Sequence, residues 1–192
     1  VDGTMTSLGV LAGGSASIGY DVSSDGSVIV GYSDSTDGNR AFKYVDGTMT
    51  NLGVLEGGAH SYARGISSDG SVIVGSADTS AGRRAFKYVD STMTSLGTLT
   101  GGSASYVNGV SSDGSVIVGW SGSTDGNRAF KYVDGTMTSL GVLAGGSGSY
   151  GMNASINGSV IVGYSDSSAG RRAFKYVDGT MTSLGVLAGG SA

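Results

Sequence analysis

Short apolar runs, separated by polar turns and glycines, follow one another along the whole chain at a regular interval. The run Ser-Val-Ile-Val-Gly begins at Ser27 and returns at Ser71, Ser115 and Ser159, an interval of 44 residues. Val, Ile, Phe, Tyr and Thr dominate these runs, as expected for strands with half-buried surfaces. Glycine recurs at short intervals and costs about 1 kcal/mol at each interior helical position. The pattern therefore predicts an all-β protein.

Each 44-residue period contains four segments with the length and composition of a strand. Polar turns separate them, such as Ser-Ser-Asp-Gly at residues 67–70. The first three predicted strands of a period are Tyr62–Ile66, Ser71–Gly75 and Arg84–Val89. The fourth is quoted from the preceding copy, where it is Thr48–Leu55.

The direction of these strands follows from the Asp-Gly pair between the third and the fourth, as at Asp46-Gly47. Two residues of this type predict a β-hairpin turn with positive φ angles, which glycine tolerates. Each period is therefore predicted to be a four-stranded antiparallel meander. The third copy carries Asp90-Ser91 instead, and we expect Ser91 to destabilise its turn by up to about 1 kcal/mol.

The run Val28-Ile29-Val30 is continuously apolar, so its side chains point to both faces of the sheet. One meander cannot cover both of its own faces, and neighbouring copies must do so. Four-stranded units that stack face to face are typical of β-propeller blades. An open superhelical stack or a β-solenoid would bury the same faces, and it remains the alternative prediction.

The chain is predicted to be a single repeat array. Its units are residues 1–44, 45–88, 89–132 and 133–176, with a partial unit at 177–192 that restates residues 1–16 and suggests a slice of a longer array. A second period of 88 residues appears in one loop, which reads Asp37-Gly38-Asn39 in odd copies and Ala81-Gly82-Arg83 in even copies.

Composition narrows the classes of partner. Charged residues make up 14% of the chain and the formal net charge is −4, so a nucleic-acid partner is not expected. No apolar run exceeds three residues, so we predict no membrane span. There is no cysteine, and the aspartates match no calcium-binding loop. We therefore predict no metal ion and no cofactor.

The repeated motifs resemble those of the HAF-repeat family of bacterial extracellular proteins, which includes autotransporter passengers. The shared motifs are the Val-Ile-Val-Gly run, Ala41-Phe42-Lys43-Tyr44, the segment from Met49 to Leu55, and Gly57-Gly58. The resemblance implies a β-propeller-like fold and an extracellular or cell-surface location. The namesake histidine of that family is replaced in every copy by arginine, at Arg40, Arg84, Arg128 and Arg172.

Candidate binding residues come from the segment that varies most between copies, the first strand, and from the repeated arginine. Packing between blades and neutral drift explain the same pattern. The first-strand candidates are Tyr62, Arg64, Tyr106, Asn108, Tyr150 and Asn153. The arginine candidates are Arg40, Arg84, Arg128 and Arg172.

Catalysis has little support, because His60 is the only histidine and Glu56 is the only glutamate. The sequence therefore predicts a non-enzymatic structural or surface-display repeat protein, adhesive or self-assembling into fibres. Its partners would be copies of itself, joined head to tail or by strand exchange, or a cell-surface glycan or protein. A ligand-binding or glycan-binding β-propeller module is the alternative.

Overall fold

The computed structural model describes residues 3–187 and shows sixteen strands. Residues 1–2 and 188–192, the latter from the predicted partial repeat, lie outside this range. Within it there is no helix, and hence none that could cross a membrane. The strands are β1 (Ser17–Val22), β2 (Val28–Ser33), β3 (Arg40–Val45), β4 (Thr48–Asn51), β5 (Ser61–Ile66), β6 (Ile73–Ala77), β7 (Arg84–Val89), β8 (Thr92–Ser95), β9 (Ser105–Val110), β10 (Ile117–Ser121), β11 (Arg128–Val133), β12 (Thr136–Ser139), β13 (Ser149–Ala154), β14 (Ile161–Ser165), β15 (Arg172–Val177) and β16 (Thr180–Ser183).

Four consecutive strands form each sheet, and they pair in sequence order as an antiparallel meander. We call the four sheets blades 1 to 4, beginning with β1–β4. The first strands of successive blades contact one another, β1 with β5, β5 with β9, and β9 with β13. The first strands are therefore innermost, and the blades radiate from them. This confirms the predicted stack of propeller-like blades.

Four strand boundaries differ from the prediction. The first strand of blade 2 begins one residue earlier, at Ser61, and its second strand ends at Ala77 instead of Gly75. The second strand of blade 2 begins at Ile73 instead of Ser71, because the Ser71 amide and hydroxyl are both hydrogen-bonded to the Asp69 carboxylate in the turn. The fourth strand of blade 1 ends at Asn51 instead of Leu55, since Gly53 adopts a φ of +82° and takes the chain away. The third strand of blade 2, Arg84–Val89, matches the prediction.

The core lies between the blades. We call the side of a blade that faces the next blade along the chain its forward face, and the opposite side its rear face. Val30 on the forward face of blade 1 packs in one cluster with Ile73 and Phe86 on the rear face of blade 2. The adjacent residue Val74 points the other way and packs with Ile117 of blade 3. As predicted, the Val-Ile-Val run buries side chains on both faces of its sheet.

A buried serine at the start of the first strand in blades 2 to 4 adds hydrogen bonds to this apolar interface. Ser61 in blade 2 donates its hydroxyl to the Gly53 carbonyl at 2.6 Å and accepts the Ala41 amide of blade 1 at 2.9 Å. Ser105 and Ser149 make the same pair of bonds to the blades that precede them. Buried backbone groups between sheets are thereby satisfied.

The turn between the first two strands is closed by an aspartate. The Asp69 carboxylate accepts the Ser67 hydroxyl at 2.6 Å and the Ser71 amide at 3.0 Å. These bonds favour the ionised form and lower the pKa of Asp69 to about 2, with the Ser67 hydroxyl contributing most. Neighbouring turns are linked as well, because the Ser68 amide donates to the Ser112 carbonyl at 2.8 Å.

The predicted hairpin turns adopt positive φ angles at both central residues. Asp46 has a φ of 46° and Gly47 one of 80°, and in the third copy Asp90 and Ser91 have φ angles of 47° and 62°. Ser91 therefore holds a left-handed conformation that glycine adopts at lower cost.

Replacing Ser91 by glycine should stabilise the protein by about 0.5–1 kcal/mol, because it removes this backbone strain. Urea unfolding followed by circular dichroism measures the change. The matched control is Gly135→Ser in the following copy, where an added Cβ meets no atom within 4 Å, so that only backbone conformation changes. It should destabilise by a similar amount. Equal stability of all three proteins would contradict this explanation.

Candidate functional site

The first strand of every blade carries a β-bulge, which places one extra residue opposite the second strand. The register shifts between Gly19 and Asp21 in blade 1, and at the matching place in the other blades. Bulges bend a strand and redirect a side chain. The extra residues are Tyr20, Arg64, Asn108 and Met152. The four blades thus present four different side chains from one redirected position.

The glycine that ends each Val-Ile-Val-Gly run makes room for the bulged strand. A Cβ added to Gly119 would lie 1.9 Å from the carbonyl oxygen of Tyr106. The equivalent glycines Gly31, Gly75 and Gly163 face the same obstruction from the first strands of their blades. The repeated glycine is therefore required by a close backbone approach.

The bulge residues reach across to neighbouring blades. The Arg64 guanidinium of blade 2 lies over the ring of Tyr20 in blade 1, 4.2 Å from its centre. Asn108 of blade 3 donates its side-chain amide to the Gly151 carbonyl of blade 4 at 2.8 Å.

Aromatic side chains of the first and second strands form a series across the blades, which we call the aromatic row. Stacked pairs within a blade alternate with edge-on contacts between blades, with ring centres 4.4 to 5.9 Å apart. Such geometry is favourable for aromatic quadrupoles. The row consists of Tyr20, Tyr32, Tyr62, Tyr106, Trp120, Tyr150 and Tyr164.

The row is interrupted at one place, between blades 2 and 3. Ser76 is the cross-strand partner of Tyr62, whereas the other blades carry Tyr32, Trp120 and Tyr164 at this position. The small serine leaves a cleft of about 220 Å³, which we call the Ser76 cleft. Its lining residues are Tyr62, Arg64, Ser76, Arg83, Tyr106, Val107, Asn108 and Trp120.

Two arginines give the cleft its charge. The Arg83 guanidinium lies 4.9 Å from the centre of the Tyr62 ring and 6.0 Å from that of Tyr106. It also forms an ion pair with Asp78 at 2.7 Å. Burial disfavours the charged form of Arg83, but the hydrogen bond and charge of Asp78 outweigh this and raise its pKa. Arg64 is exposed, and no carboxylate in residues 3–187 lies within ion-pair distance of it.

The structure brings four of the predicted binding residues into the Ser76 cleft, namely Tyr62, Arg64, Tyr106 and Asn108. Tyr150 lies beside the cleft in the aromatic row, 5.4 Å from Trp120. Asn153 lies elsewhere, in a depression of about 270 Å³ that residues of all four first strands line near the axis. A binding role for these residues stays a prediction.

Sequence reasoning missed four residues of the cleft, Ser76, Arg83, Val107 and Trp120. One signal was available for two of them. The residue after each Val-Ile-Val-Gly run is tyrosine in the first and fourth copies, but Ser76 in the second and Trp120 in the third. The contact of Arg83 with two aromatic rings depends on the path of its loop, which the sequence does not show.

Three of the four repeated arginines connect neighbouring blades. The Arg84 guanidinium donates to the Ser103 carbonyl of the next blade's entry loop at 2.6 Å, and Arg128 donates to the Ser147 carbonyl at 2.9 Å. Arg40 bonds to the Ala59 carbonyl in the same way, while Arg172 donates to the Arg171 carbonyl. The predicted role of all four in ligand binding is untested, and the contacts of Arg40, Arg84 and Arg128 give those three a structural role.

The remaining acid–base and acidic candidates also serve the backbone. His60 accepts the Asn39 amide through Nδ1 at 3.1 Å, which ties blade 2 to the loop of blade 1. Asp34 accepts the amides of Ser15 and Ala16 at 2.7 and 2.8 Å. Within the described part of the chain, no three His, Asp or Glu side chains come together as a metal site.

Among residues 3–187, none covers the forward face of blade 4 or the rear face of blade 1. Val162 on the forward face is 40% exposed, whereas its equivalents in blades 1 to 3 are fully buried. Leu184 is 57% exposed, against 6% for each of its three equivalents. On the rear face of blade 1, Val22 is 49% exposed, while Ile66 at the same position of blade 2 is 6% exposed.

The comparisons with known proteins identify the fold. The chain is similar to the crystal structure of TolB from Acinetobacter baumannii, with a TM-score of 0.61 and 14% identity over 88% of this chain and 43% of that one. It is also similar to the structure of putative TolB from Agrobacterium tumefaciens, with a TM-score of 0.64 and 16% identity over 85% of this chain and 62% of that one. The chain therefore spans less than two thirds of either structure.

These neighbours are β-propellers, which supports the predicted fold class. The sequence matches no family model and no curated protein.

Replacing Gly119 by alanine should destabilise the protein by about 1–3 kcal/mol, because the Cβ would collide with the Tyr106 carbonyl. The collision should also separate the Tyr106 and Trp120 rings, so thermal unfolding and Trp120 fluorescence both report it. The control is Gly122→Ala, three residues further on, where the nearest atom to an added Cβ is 3.6 Å away. A Gly119 variant as stable as the Gly122 variant would show that the bulge does not require glycine.

Proposed function

We propose that this chain is a non-catalytic structural repeat protein that assembles by packing the forward face of blade 4 against the rear face of blade 1 in another copy. The observation that carries this proposal is the exposure of Val162 and Leu184, which are apolar side chains that every other blade buries. Exposed patches of this kind in a folded domain are typical of interaction surfaces.

The two end faces are complementary because they are the two halves of an interface that the chain already forms three times. Val162 corresponds to Val30, which packs against Ile73 of the following blade. Ile29 and Val22 in blade 1 correspond to Ile73 and Ile66, which receive such a forward face. A contact between different faces of identical chains is heterologous, so each copy still offers one free face after pairing.

The curvature of the array favours a closed assembly over a fibre. Heterologous contacts form rings when the rotation between units closes, and filaments when it does not. The first strands of the four blades converge on one axis and line a common depression. A second copy that continues the same rotation extends the arc around that axis, which leads to a ring of a few copies.

The location and the display role rest on the resemblance to the HAF-repeat family. We propose that the assembly lies outside the bacterial cell, on its surface or released from it, where it displays repeated blades or adheres to a neighbouring surface. A non-enzymatic role agrees with the use of His60 as a hydrogen-bond acceptor between blades, and with the exposed position of Glu56 in its loop.

Assembly is tested by placing charge on the uncovered face. The double variant Val162→Lys and Leu184→Lys should fold like the parent, since both side chains are exposed, but it should remain monomeric. Light scattering after size-exclusion chromatography measures the mass, and electron microscopy of the parent should show small closed rings.

The matched control is Thr138→Lys, an exposed position on the outermost strand of blade 3. It should assemble as the parent does. A parent chain that stays monomeric at all concentrations would contradict the proposal, and so would open filaments, because they exclude a closing rotation.

A further inference from the structure

The Ser76 cleft combines aromatic faces with hydrogen-bonding groups, and it is distinct from the end faces that the assembly proposal uses. The stacked rings of Tyr106 and Trp120, with centres 4.4 Å apart, line the cleft together with the ring of Tyr62. Ligand pockets are typically 300–1,000 Å³, so this cleft of about 220 Å³ suits one ring-sized group of a longer ligand.

The hydrogen-bonding groups of the cleft have capacity to spare. Asn108 uses its side-chain NH₂ group on the Gly151 carbonyl, and its oxygen is left to accept. The Ser76 hydroxyl accepts the Val107 amide at 3.3 Å, so its proton is left to donate. A ligand with several hydroxyl groups matches this combination of donors and acceptors around aromatic faces.

The charge of the cleft is opposite to that of the chain. Arg64 and Arg83 contribute two positive charges and Asp78 one negative charge, which leaves the cleft net positive in a chain of net charge −4. The Asp78 bond holds the Arg83 guanidinium in place, and an arginine held in this way binds a carboxylate at a lower cost in side-chain entropy.

We propose that the Ser76 cleft binds a uronic acid residue of an anionic polysaccharide. The sugar ring packs against the aromatic side chains of the cleft, and its carboxylate pairs with Arg64 and Arg83. Asn108 and Ser76 hydrogen-bond its hydroxyl groups. The cleft exists once in the four described blades, because only blade 2 carries a small residue at this position of the row.

The other blades explain why the site is confined to blade 2. Blade 4 has an equivalent arginine, Arg171, but its guanidinium lies 4.8 Å from the centre of the Tyr164 ring, at the position where blade 2 has Ser76. In blade 3 the equivalent loop residue is Asn127, which donates to the Tyr150 hydroxyl at 3.0 Å and carries no charge. The proposed site therefore needs both a small residue at the position of Ser76 and an arginine at the position of Arg83, and only blade 2 has both.

Trp120 is the only tryptophan of the chain and lines the cleft, so its fluorescence reports binding directly. The probe is a trimer of galacturonic acid, titrated into the full chain. We expect a saturable change in Trp120 emission whose midpoint weakens with added salt, as for charge pairs near a surface. The fully methyl-esterified trimer keeps the shape of the acid but lacks its charge. Its affinity should be lower than that of the acid by about tenfold or more.

Two variants test the named contacts. Arg83→Ala should weaken binding of the acidic trimer by about tenfold or more, whereas the matched control Arg171→Ala, from the same loop of blade 4, should leave it unchanged. Ser76→Tyr introduces the residue found at this position in blades 1 and 4, and it should abolish binding because the tyrosine ring fills the Ser76 cleft.

The outcomes separate this proposal from the assembly proposal. Binding by the monomeric Val162→Lys and Leu184→Lys variant, equal to that of the parent, would support the site whatever the state of assembly. No saturable change with the acidic trimer would overturn the proposal. Equal affinity for the acid and its ester, or equal effects of the Arg83 and Arg171 substitutions in folded proteins, would also overturn it.

Discussion

The constraint on which the structure depends is that no blade can cover its own two faces. The central strand of each blade is apolar on both sides, so its Val and Ile residues are buried only where another blade lies against them. Inter-blade hydrogen bonds follow the same rule, since Ser105 joins its strand to the blade before it and Arg84 reaches the loop of the blade after it. The stability of each blade therefore depends on contacts with its neighbours, as in other repeat proteins.

This constraint separates the positions that are repeated in every copy from those that differ between copies. Positions that face a neighbouring blade recur with little change, because each must fit the same partner surface. The copies differ from one another at the bulge residue and its neighbours on the first strand. The Ser76 cleft arises from one such difference, a serine in place of an aromatic ring, on a scaffold that is otherwise repeated.

Local patterns in the sequence were sufficient to predict the fold. The Asp-Gly pairs fixed the antiparallel direction, and the Val-Ile-Val run indicated that both faces are covered. The bulge at Arg64 could not be predicted, because it depends on a carbonyl of one strand lying almost against a glycine of the next. The residues of the Ser76 cleft could be predicted from the sequence only in part, for a related reason. Variation between copies singled out Tyr62, Arg64, Tyr106 and Asn108, but the contacts of Arg83 depend on how its loop folds over two blades.

The dependence of each blade on its neighbours is tested most directly with one isolated repeat. Residues 53–96 contain all four strands of blade 2 and the loop that enters it. As a separate peptide in dilute solution they should lack the circular dichroism of a sheet and show no cooperative thermal transition, although Ile73 and Val74 among them are buried in the full chain. A cooperatively folded monomeric peptide, confirmed by sedimentation, would contradict the account.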